Sequence, residues 1–312
     1  MIKRSILFMA IMLPTVMFGQ VFRNVTVEKL DGMQPGDHKV AGLSRDGKYV
    51  LLTSMSGKGL ERISLADGKK VTISELDGAG IQPLLSHDGQ VVVHCTDTFG
   101  EDHLRRTSLS VTDLASGSTQ TLAPPSRQLR GYRLTETHAE AVMEEGPLVR
   151  RKARQTATDV ALEADDRPTV MSRDLQLQVV QGEETRTLSP NGEGEDVSYL
   201  WASLSPDGQR IAYYVSNEGT YVCNLQGEDV QFIAHDCLAP QWYDDNTIVG
   251  MKERDDDLFI ASSVIVAYTL DGCRQELTAP SQVMLFPYCS SEARRIVCSS
   301  GNGEVYVLKI EE

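Results

Sequence analysis

The sequence predicts an all-β fold, namely a six-bladed β-propeller closed by its N-terminal strand. Three observations support this prediction: one stretch has the pattern of a complete blade, weaker copies of it recur along the chain, and a strand pattern near the N-terminus belongs to no blade. Four short antiparallel strands within about forty residues are typical of one propeller blade.

The clearest blade pattern lies at residues 199–233. Its first turn, Ser205-Pro206-Asp207-Gly208, combines a proline that fixes φ, an aspartate that can bond the backbone ahead, and a glycine that accepts positive φ. Residues 210–215 are apolar on both faces, which indicates a strand buried between two sheets. Further turns at 217–219 and 226–228 separate the remaining strands of the blade.

Weaker copies of this turn recur before other apolar strands. The copies at Ser44 and Ser86 keep Asp-Gly, whereas the others are degenerate. The six turns begin at residues 44, 86, 135, 205, 243 and 290, with separations of 42, 49, 70, 38 and 47 residues. We therefore expect six blades, with an insertion at about residues 146–173 in blade three. Loops of this length are usually functional or mobile.

The N-terminal strand pattern covers residues 21–30, which alternate between apolar and polar positions. The last blade shows only three strands, at residues 283–288, 295–299 and 304–310. The N-terminal strand can supply the missing fourth strand. Closure of this kind hides the strand edges that an open ring would leave unpaired.

Residues 1–19 combine a basic start with an apolar run that ends in a small residue, which predicts a secretory signal peptide cut near Gly19-Gln20. Residues 20–312 would then form a single β-propeller domain. Loss of Lys3 and Arg4 changes the formal charge from −14 to −16. Such an acidic chain is a poor partner for nucleic acid or anionic lipid. We expect a monomer that is periplasmic or otherwise exported, with no membrane span after cleavage.

Residues 204–213 resemble the WD40-like Pro-Asp repeat of TolB-type β-propellers, with Leu204 where the family usually has tryptophan. The resemblance implies a non-enzymatic module that binds a protein or peptide in the cell envelope, or a scaffold there. Some TolB-like propellers are lactonases or lyases that use His, Asp and Glu at the funnel mouth. The alternative is therefore a funnel-site enzyme that acts on carbohydrate or lactone.

The strongest candidate binding residues are Arg150, Arg151, Lys152 and Arg154, at the start of the expected insertion. This basic run contrasts with the acidic chain, so it would offer a local site for an acidic partner or polymer. No catalytic residue, metal site or cofactor is predicted. The sequence contains no Gly-x-Ser-x-Gly, no His-Glu-x-x-His and no Gly-x-Gly-x-x-Gly motif.

Two other residue types call for an interpretation. The acidic run at residues 255–257 has oxygen ligands that suit calcium, but it lacks the alternating spacing of an EF-hand loop, so we interpret it as a solvated loop. The six cysteines could pair in an exported protein or remain buried thiols, and we favour the second reading because a propeller of this size does not need disulfides. His38 and His235, at blade entrances, are the best enzymatic candidates among six scattered histidines.

Overall fold

The computed structural model describes residues 19–30, 36–135, 137–144, 149–154, 167–182, 184–194, 196–255 and 260–311. In these ranges the protein is all-β, with antiparallel strands in seven sheets. No helix in the described part is long and apolar enough to cross a membrane. The predicted signal peptide, apart from Gly19, lies outside the described residues, and so do two of the three aspartates at 255–257.

The strands follow each other in chain order. They are β1 (Asn24–Lys29), β2 (Lys39–Leu43), β3 (Tyr49–Thr53), β4 (Leu60–Ser64), β5 (Lys70–Ser74), β6 (Leu84–Leu85), β7 (Val91–Phe99), β8 (Arg105–Asp113), β9 (Ser118–Ser126), β10 (Leu129–Leu134), β11 (His138–Met143), β12 (Val149–Lys152), β13 (Thr169–Arg173), β14 (Gln176–Gln181), β15 (Glu184–Leu188), β16 (Tyr199–Leu204), β17 (Arg210–Val215), β18 (Gly219–Asn224), β19 (Gln231–Ala234), β20 (Leu238–Trp242), β21 (Thr247–Asp255), β22 (Ile260–Thr269), β23 (Arg274–Glu276), β24 (Met284–Ser290), β25 (Arg295–Ser300) and β26 (Val305–Glu311).

Each sheet is one blade of a propeller. Blades one, two, five and six have four consecutive strands, namely β2–β5, β6–β9, β16–β19 and β20–β23. Blades three and four have three strands each, β10–β12 and β13–β15, and blade seven combines β24–β26 with β1. The blades contact each other in a ring. The inner strands meet as β24 with β2, β2 with β6, β6 with β10, β16 with β20 and β20 with β24, and blade four joins the ring through contacts of β14 with β10 and of β13 with β16.

The core lies between neighbouring blades. Val40 and Val50 of blade one, for example, share one buried cluster with Val297 of blade seven. Val91 of blade two and Tyr132 of blade three share another. Strands that pack on both sides carry apolar residues on both faces, which explains the continuous apolar run in strands such as β17.

The expectation of six blades is wrong, because the interval of 70 residues between the third and fourth turns holds two short blades. The stretch expected to be an insertion, 146–173, contributes β12 to blade three and β13 to blade four. It also supplies core side chains, since Ala153 and Met171 are buried in the same cluster as Tyr132. Each of these two blades has three strands among the described residues.

The direction of β13 shows which strands these two blades lack. Arg167, just before β13, contacts the carbonyl oxygen of Ser205 in the turn that follows β16. At the other end of β13, the carbonyl oxygen of Leu175 accepts a hydrogen bond of 2.8 Å from the N–H of Tyr199, where β16 begins. The two strands therefore run in opposite directions. By contrast, a hydrogen bond of 2.8 Å from Asp207 N–H to Asp245 joins the turns after β16 and β20, which run the same way.

The inner strands β16 and β20 run the same way, whereas β13 runs the opposite way, as the second strand of a blade does. Within the described residues, blade four therefore begins with its second strand and has no inner strand. Blade three has its inner strand β10 and lacks an outer one. Together the sheets hold two strands fewer than seven four-stranded blades would. No described strand occupies the outer position of blade three or the inner position of blade four.

The predicted turn at Ser205–Gly208 is confirmed. Gly208 has a φ of 74°, and its N–H donates to the carbonyl oxygen of Ser205 at 2.9 Å. The hydroxyl of Ser205 donates to Asp207 at 2.5 Å and accepts from the N–H of Arg210 at 2.9 Å. These bonds connect the end of β16 to the start of β17.

The N-terminal strand β1 pairs with β26 in antiparallel register, from Asn24 opposite Glu311 to Lys29 opposite Tyr306. Just before β1, the side-chain oxygen of Gln275 accepts hydrogen bonds from the N–H groups of Val21 and Phe22, at 2.9 and 2.8 Å. The first described residues thus contact both blade six and blade seven.

Candidate functional site

The basic edge of blade three consists of Arg150, Arg151, Lys152 and Arg154, the four residues that the sequence predicted to bind a partner. The first three lie in β12 and the fourth follows it. The register places Arg150 opposite Glu140, and Glu140 opposite Arg133. Directly opposed residues share one face of a sheet, so these three side chains form a row across the blade.

The row is an ion triad with one carboxylate between two guanidinium groups. The Nε of Arg133 donates to Oε2 of Glu140 at 2.8 Å, and the Nε of Arg150 donates to Oε1 at 2.6 Å. The side chains of Arg133 and Glu140 are only 4% and 2% exposed, whereas Arg150 is half exposed. The triad carries one excess positive charge, and Nη1 of Arg133 is buried without a hydrogen-bond partner among the described residues.

The remaining cations of the basic edge differ in their contacts. The guanidinium of Arg154 donates to Oδ2 of Asp88 at 2.6 Å. Burial opposes ionisation of Asp88, but the hydrogen bonds from Arg154 and Ser86 outweigh it and lower the pKa of this carboxyl. Arg151 is exposed, and its Nη1 donates to the carbonyl oxygen of Arg150 at 3.1 Å. Arg150 and Arg154 are therefore engaged in ion pairs with other described residues.

The backbone of β12 has one paired side and one outer side. The N–H of Ala153 donates to the carbonyl oxygen of Thr137 at 2.7 Å. This bond shows which residues of β12 form hydrogen-bonded pairs with β11 and which do not. Because bonded pairs alternate in an antiparallel ladder, the N–H and C=O groups of Arg150 and Lys152 point away from β11. No other described strand pairs with this outer side.

A surface depression of about 630 Å³ lies beside this edge and is lined by Gln120, His138 and the basic residues 150–152. His138 contacts Thr137 through Nδ1 at 2.8 Å. The depression is open to solvent and bordered on one side by the outward backbone groups of β12.

Sequence reasoning missed two carboxylates of this site. Asp88 was assigned only to a turn, although it also holds Arg154. Glu140 lies between two buried alanines in β11. A charged residue inside an apolar strand needs a partner, and this signal was present in the sequence. Which arginines would serve it depends on the strand register, which the sequence did not reveal.

The histidines make local contacts rather than a shared site. His87 pairs with Glu292 at 2.8 Å, and His235 contacts the carbonyl oxygen of Glu218 at 2.6 Å. Burial lowers the pKa of His94, which therefore stays neutral at physiological pH. Across the part of the chain that the structure describes, no group of three or more His, Cys, Asp or Glu side chains is placed to hold a metal ion.

All six cysteines are free thiols in the structure. Four of them, Cys95, Cys223, Cys237 and Cys298, are buried. Burial raises the pKa of Cys95 to about 11 and that of Cys298 to about 12. Thiols with such pKa values are poor nucleophiles at neutral pH.

Solved structures of other propellers resemble this fold. The β-propeller domain of the Trilobed protease from Pyrococcus furiosus matches with a TM-score of 0.51 and 12% identity, over 88% of this chain and 98% of that chain. An oligogalacturonate lyase from Vibrio parahaemolyticus matches with a TM-score of 0.48 and 14% identity, over 86% and 76% of the two chains. TolB from Acinetobacter baumannii matches with a TM-score of 0.44 and 12% identity, over 87% of this chain and 55% of that chain.

No family model matches the chain, and no curated protein matches it in sequence. The chain is a β-propeller. Structural matches at such low identity show the fold alone, because one fold hosts many functions. The matches to the lyase and to TolB have the lower TM-scores and carry no functional argument. The seven blades also differ from the six that the TolB-type repeat predicted.

Proposed function

We propose that this protein is an exported, non-enzymatic propeller that binds an extended acidic segment of a cell-envelope partner at the basic edge of blade three. The observation that carries the proposal is the outer side of β12, where the backbone groups of Arg150 and Lys152 point away from the sheet beside exposed cations. Strand addition uses main-chain hydrogen bonds for affinity and alternate side chains for specificity.

The charge of the edge supports an acidic partner. Among the described residues, the basic edge and Arg133 supply five cations, and their printed ion pairs involve two carboxylates, those of Glu140 and Asp88. This local excess contrasts with the net charge of −14 for the whole chain. Complementary charge raises the association rate and makes binding depend on salt.

A competing reading is that the arginines protect the edge. Proteins often place Lys or Arg on edge strands to prevent unwanted pairing. Under that reading, an acidic peptide would bind through charge alone, without main-chain hydrogen bonds. The two readings therefore differ in whether binding depends on the backbone of the peptide and on the outward N–H of Lys152.

The experiment uses residues 20–312 and a fluorescent peptide of alternating Glu and Val, measured by anisotropy at several salt concentrations. The comparison peptides replace Glu with Lys or carry N-methyl groups on alternate amides. We expect the Glu peptide to bind, the Lys peptide not to bind, and N-methylation to weaken binding roughly tenfold or more, since several main-chain hydrogen bonds are lost. Equal affinity of the methylated and unmethylated peptides would rule out strand addition.

A pair of variants tests the same point from the protein side. Lys152→Pro removes an outward N–H without breaking a ladder bond to β11, whereas Lys152→Gln keeps that N–H and removes the charge. Strand addition requires Lys152→Pro to lose far more affinity than Lys152→Gln. Equal losses would assign the binding to charge, and failure of the Glu peptide to bind the unchanged protein would contradict the proposal.

The closure and the location of the propeller belong to the same proposal. We propose that β1 closes the ring, since it completes the fourth strand of blade seven and buries Phe22 against blade six. Export is supported by the basic and then apolar pattern of residues 1–19. An envelope partner is consistent with that location.

A further inference from the structure

A second cavity, the junction pocket, lies where blades two, three and four meet. Its volume is about 150 Å³, and it is lined by side chains from blades two, three and four, including Asp97, Thr107, Tyr132, Met171 and Arg173. Residues of the basic edge do not line it. A cavity of this volume is large enough for a six-membered ring.

Two cations of the junction pocket have few partners. The side chain of Arg173 is only 20% exposed, yet its nearest carboxylate, that of Asp174, lies 3.8 Å from Nε. Arg105 approaches the same carboxylate at 3.6 Å. Neither guanidinium makes a hydrogen bond to any described residue within normal distance, although each offers five N–H donors. Asp174 itself is largely exposed, so it neutralises the pair poorly.

The walls of the junction pocket are buried and fixed in place. Tyr132 and Met171 are each 3% exposed. The hydroxyl of Tyr132 donates to the carbonyl oxygen of Gln82 at 2.8 Å, and the side-chain amide of Gln82 donates to the carbonyl oxygen of Ser172 at 2.8 Å. Gln82 therefore connects three blades around the cavity. The pocket is preorganised, which reduces the entropy that a ligand would lose from the protein.

One carboxylate, that of Asp97, also lines the junction pocket. Oδ1 of Asp97 accepts the hydroxyl of Thr107 at 2.6 Å. A Cβ at position 78 would lie 2.9 Å from Oδ2 of Asp97, so the glycine, with a φ of 81°, leaves room for this carboxylate. The pocket thus offers guanidinium donors and a carboxylate acceptor within one small space.

We propose that the junction pocket binds a small carboxylate that also carries a hydroxyl or ammonium group, of up to the size of a substituted six-membered ring. Arg105 and Arg173 receive the carboxylate, because a guanidinium binds a carboxylate through two parallel hydrogen bonds. Asp97 receives the hydroxyl or ammonium donor. Tyr132 and Met171 contact the carbon skeleton. The site is independent of strand addition at the basic edge, since the two share no residue.

The experiment is calorimetric titration of residues 20–312 with matched probes. Quinate carries a ring, hydroxyls and a carboxylate; its methyl ester lacks the charge; cyclohexanecarboxylate lacks the hydroxyls; hydroxyproline and glutamate supply the ammonium alternative. We expect at least one hydroxy- or amino-carboxylate to bind with a Kd of roughly 1 mM or tighter, and the ester and the unsubstituted acid to bind at least tenfold more weakly. No binding by any hydroxy- or amino-carboxylate would overturn the proposal.

Variants assign the roles within the junction pocket. Arg173→Gln should lower the affinity for the carboxylate ligand roughly tenfold or more, because a charge-assisted hydrogen bond is lost. Asp97→Asn keeps an acceptor for Thr107 but removes the charge. It should therefore lower the affinity only for ligands that carry a hydroxyl or ammonium group. Arg186→Gln, in β15 of the same blade, is the matched control and should leave binding unchanged. Equal effects of Arg173→Gln and Arg186→Gln would place the ligand elsewhere.

Discussion

Arg133 and Glu140 lie directly opposite each other in β10 and β11 and form an ion pair that is almost completely removed from solvent. Burial of two charges is costly, and here the cost is offset by direct hydrogen bonds and by a second guanidinium, that of Arg150. The pair ties the inner strand of blade three to its middle strand. It also positions Arg150 at the basic edge.

Replacement of the shared carboxylate should therefore be severe. Glu140→Gln leaves the buried charge of Arg133 without compensation, so we expect a loss of about 3–5 kcal/mol in the free energy of unfolding. The matched control is Glu144→Gln, which removes an exposed pair with Arg130 and should cost about 1 kcal/mol or less. Urea unfolding followed by circular dichroism measures both. Similar midpoints for the two variants would show that the buried triad contributes little.

Local sequence signals identified most of the ring, and blades three and four show why they did not identify all of it. The Ser-x-Asp-Gly turn marks a strand connection whose bonds are local, so the sequence alone indicates it, as at Ser205. The connection between β13 and β14 uses Asp174 and Leu175 instead, both at positive φ without glycine. Strand β12 is short and mostly charged, so it has no apolar pattern to detect.

Another repeat signal was present in the sequence. Gln82, Ala239 and Phe286 each have a positive φ and are each followed by a proline. Gln82 lies just before β6, and the other two lie near the start of the inner strands β20 and β24. In blades six and seven the positive φ coincides with a bulge in the strand pairing.

The two sites depend on relations between distant strands that no local sequence pattern contains. To predict the row of Arg133, Glu140 and Arg150, one must know the strand register. To predict the junction pocket, one must know that β13 runs in the reversed direction.

The turn at Gly208 provides a test of backbone conformation. Gly208 has a φ of 74°, and a Cβ there would meet nothing closer than Arg167 at 3.7 Å, so the cost of a substitution comes from the backbone. We expect Gly208→Val to destabilise the fold by about 1–3 kcal/mol. Gly208→Asn should cost clearly less, because asparagine tolerates the left-handed region. Equal thermal stability of the two variants would contradict this explanation.

The strand β1 provides a test of closure. Removal of residues 20–30 takes away the strand that pairs with β26. It also removes the buried ring of Phe22, which packs edge-on against Tyr243 with 4.8 Å between the ring centroids. We expect a lower melting temperature and aggregation through the exposed edge of β26. Phe22→Ala alone should cost about 3–5 kcal/mol. Thr26→Ala, at an exposed position of β1, is the control and should change stability by about 0.5 kcal/mol or less. An unchanged melting curve after the deletion would show that β1 does not close the ring.

The cysteines provide a test that depends on pH. Burial raises the pKa of Cys95 to about 11 and those of Cys223, Cys237 and Cys298 to about 12. A raised pKa keeps a thiol protonated, and only the thiolate reacts with iodoacetamide. At pH 8 we therefore expect the folded protein to react first at Cys273, which is partly exposed.

The four buried thiols should react only after unfolding, or as the pH rises toward their pKa values. Mass spectrometry of the native protein at pH 8 and pH 10, beside the protein in urea, locates each label. In urea all six thiols become exposed and their pKa values return to about 8.5, so all six should be labelled at pH 8. Rapid labelling of Cys298 in the native protein at pH 8 would contradict its burial between blades six and seven. Fewer than six labels in urea would show that some cysteines are paired in the exported protein.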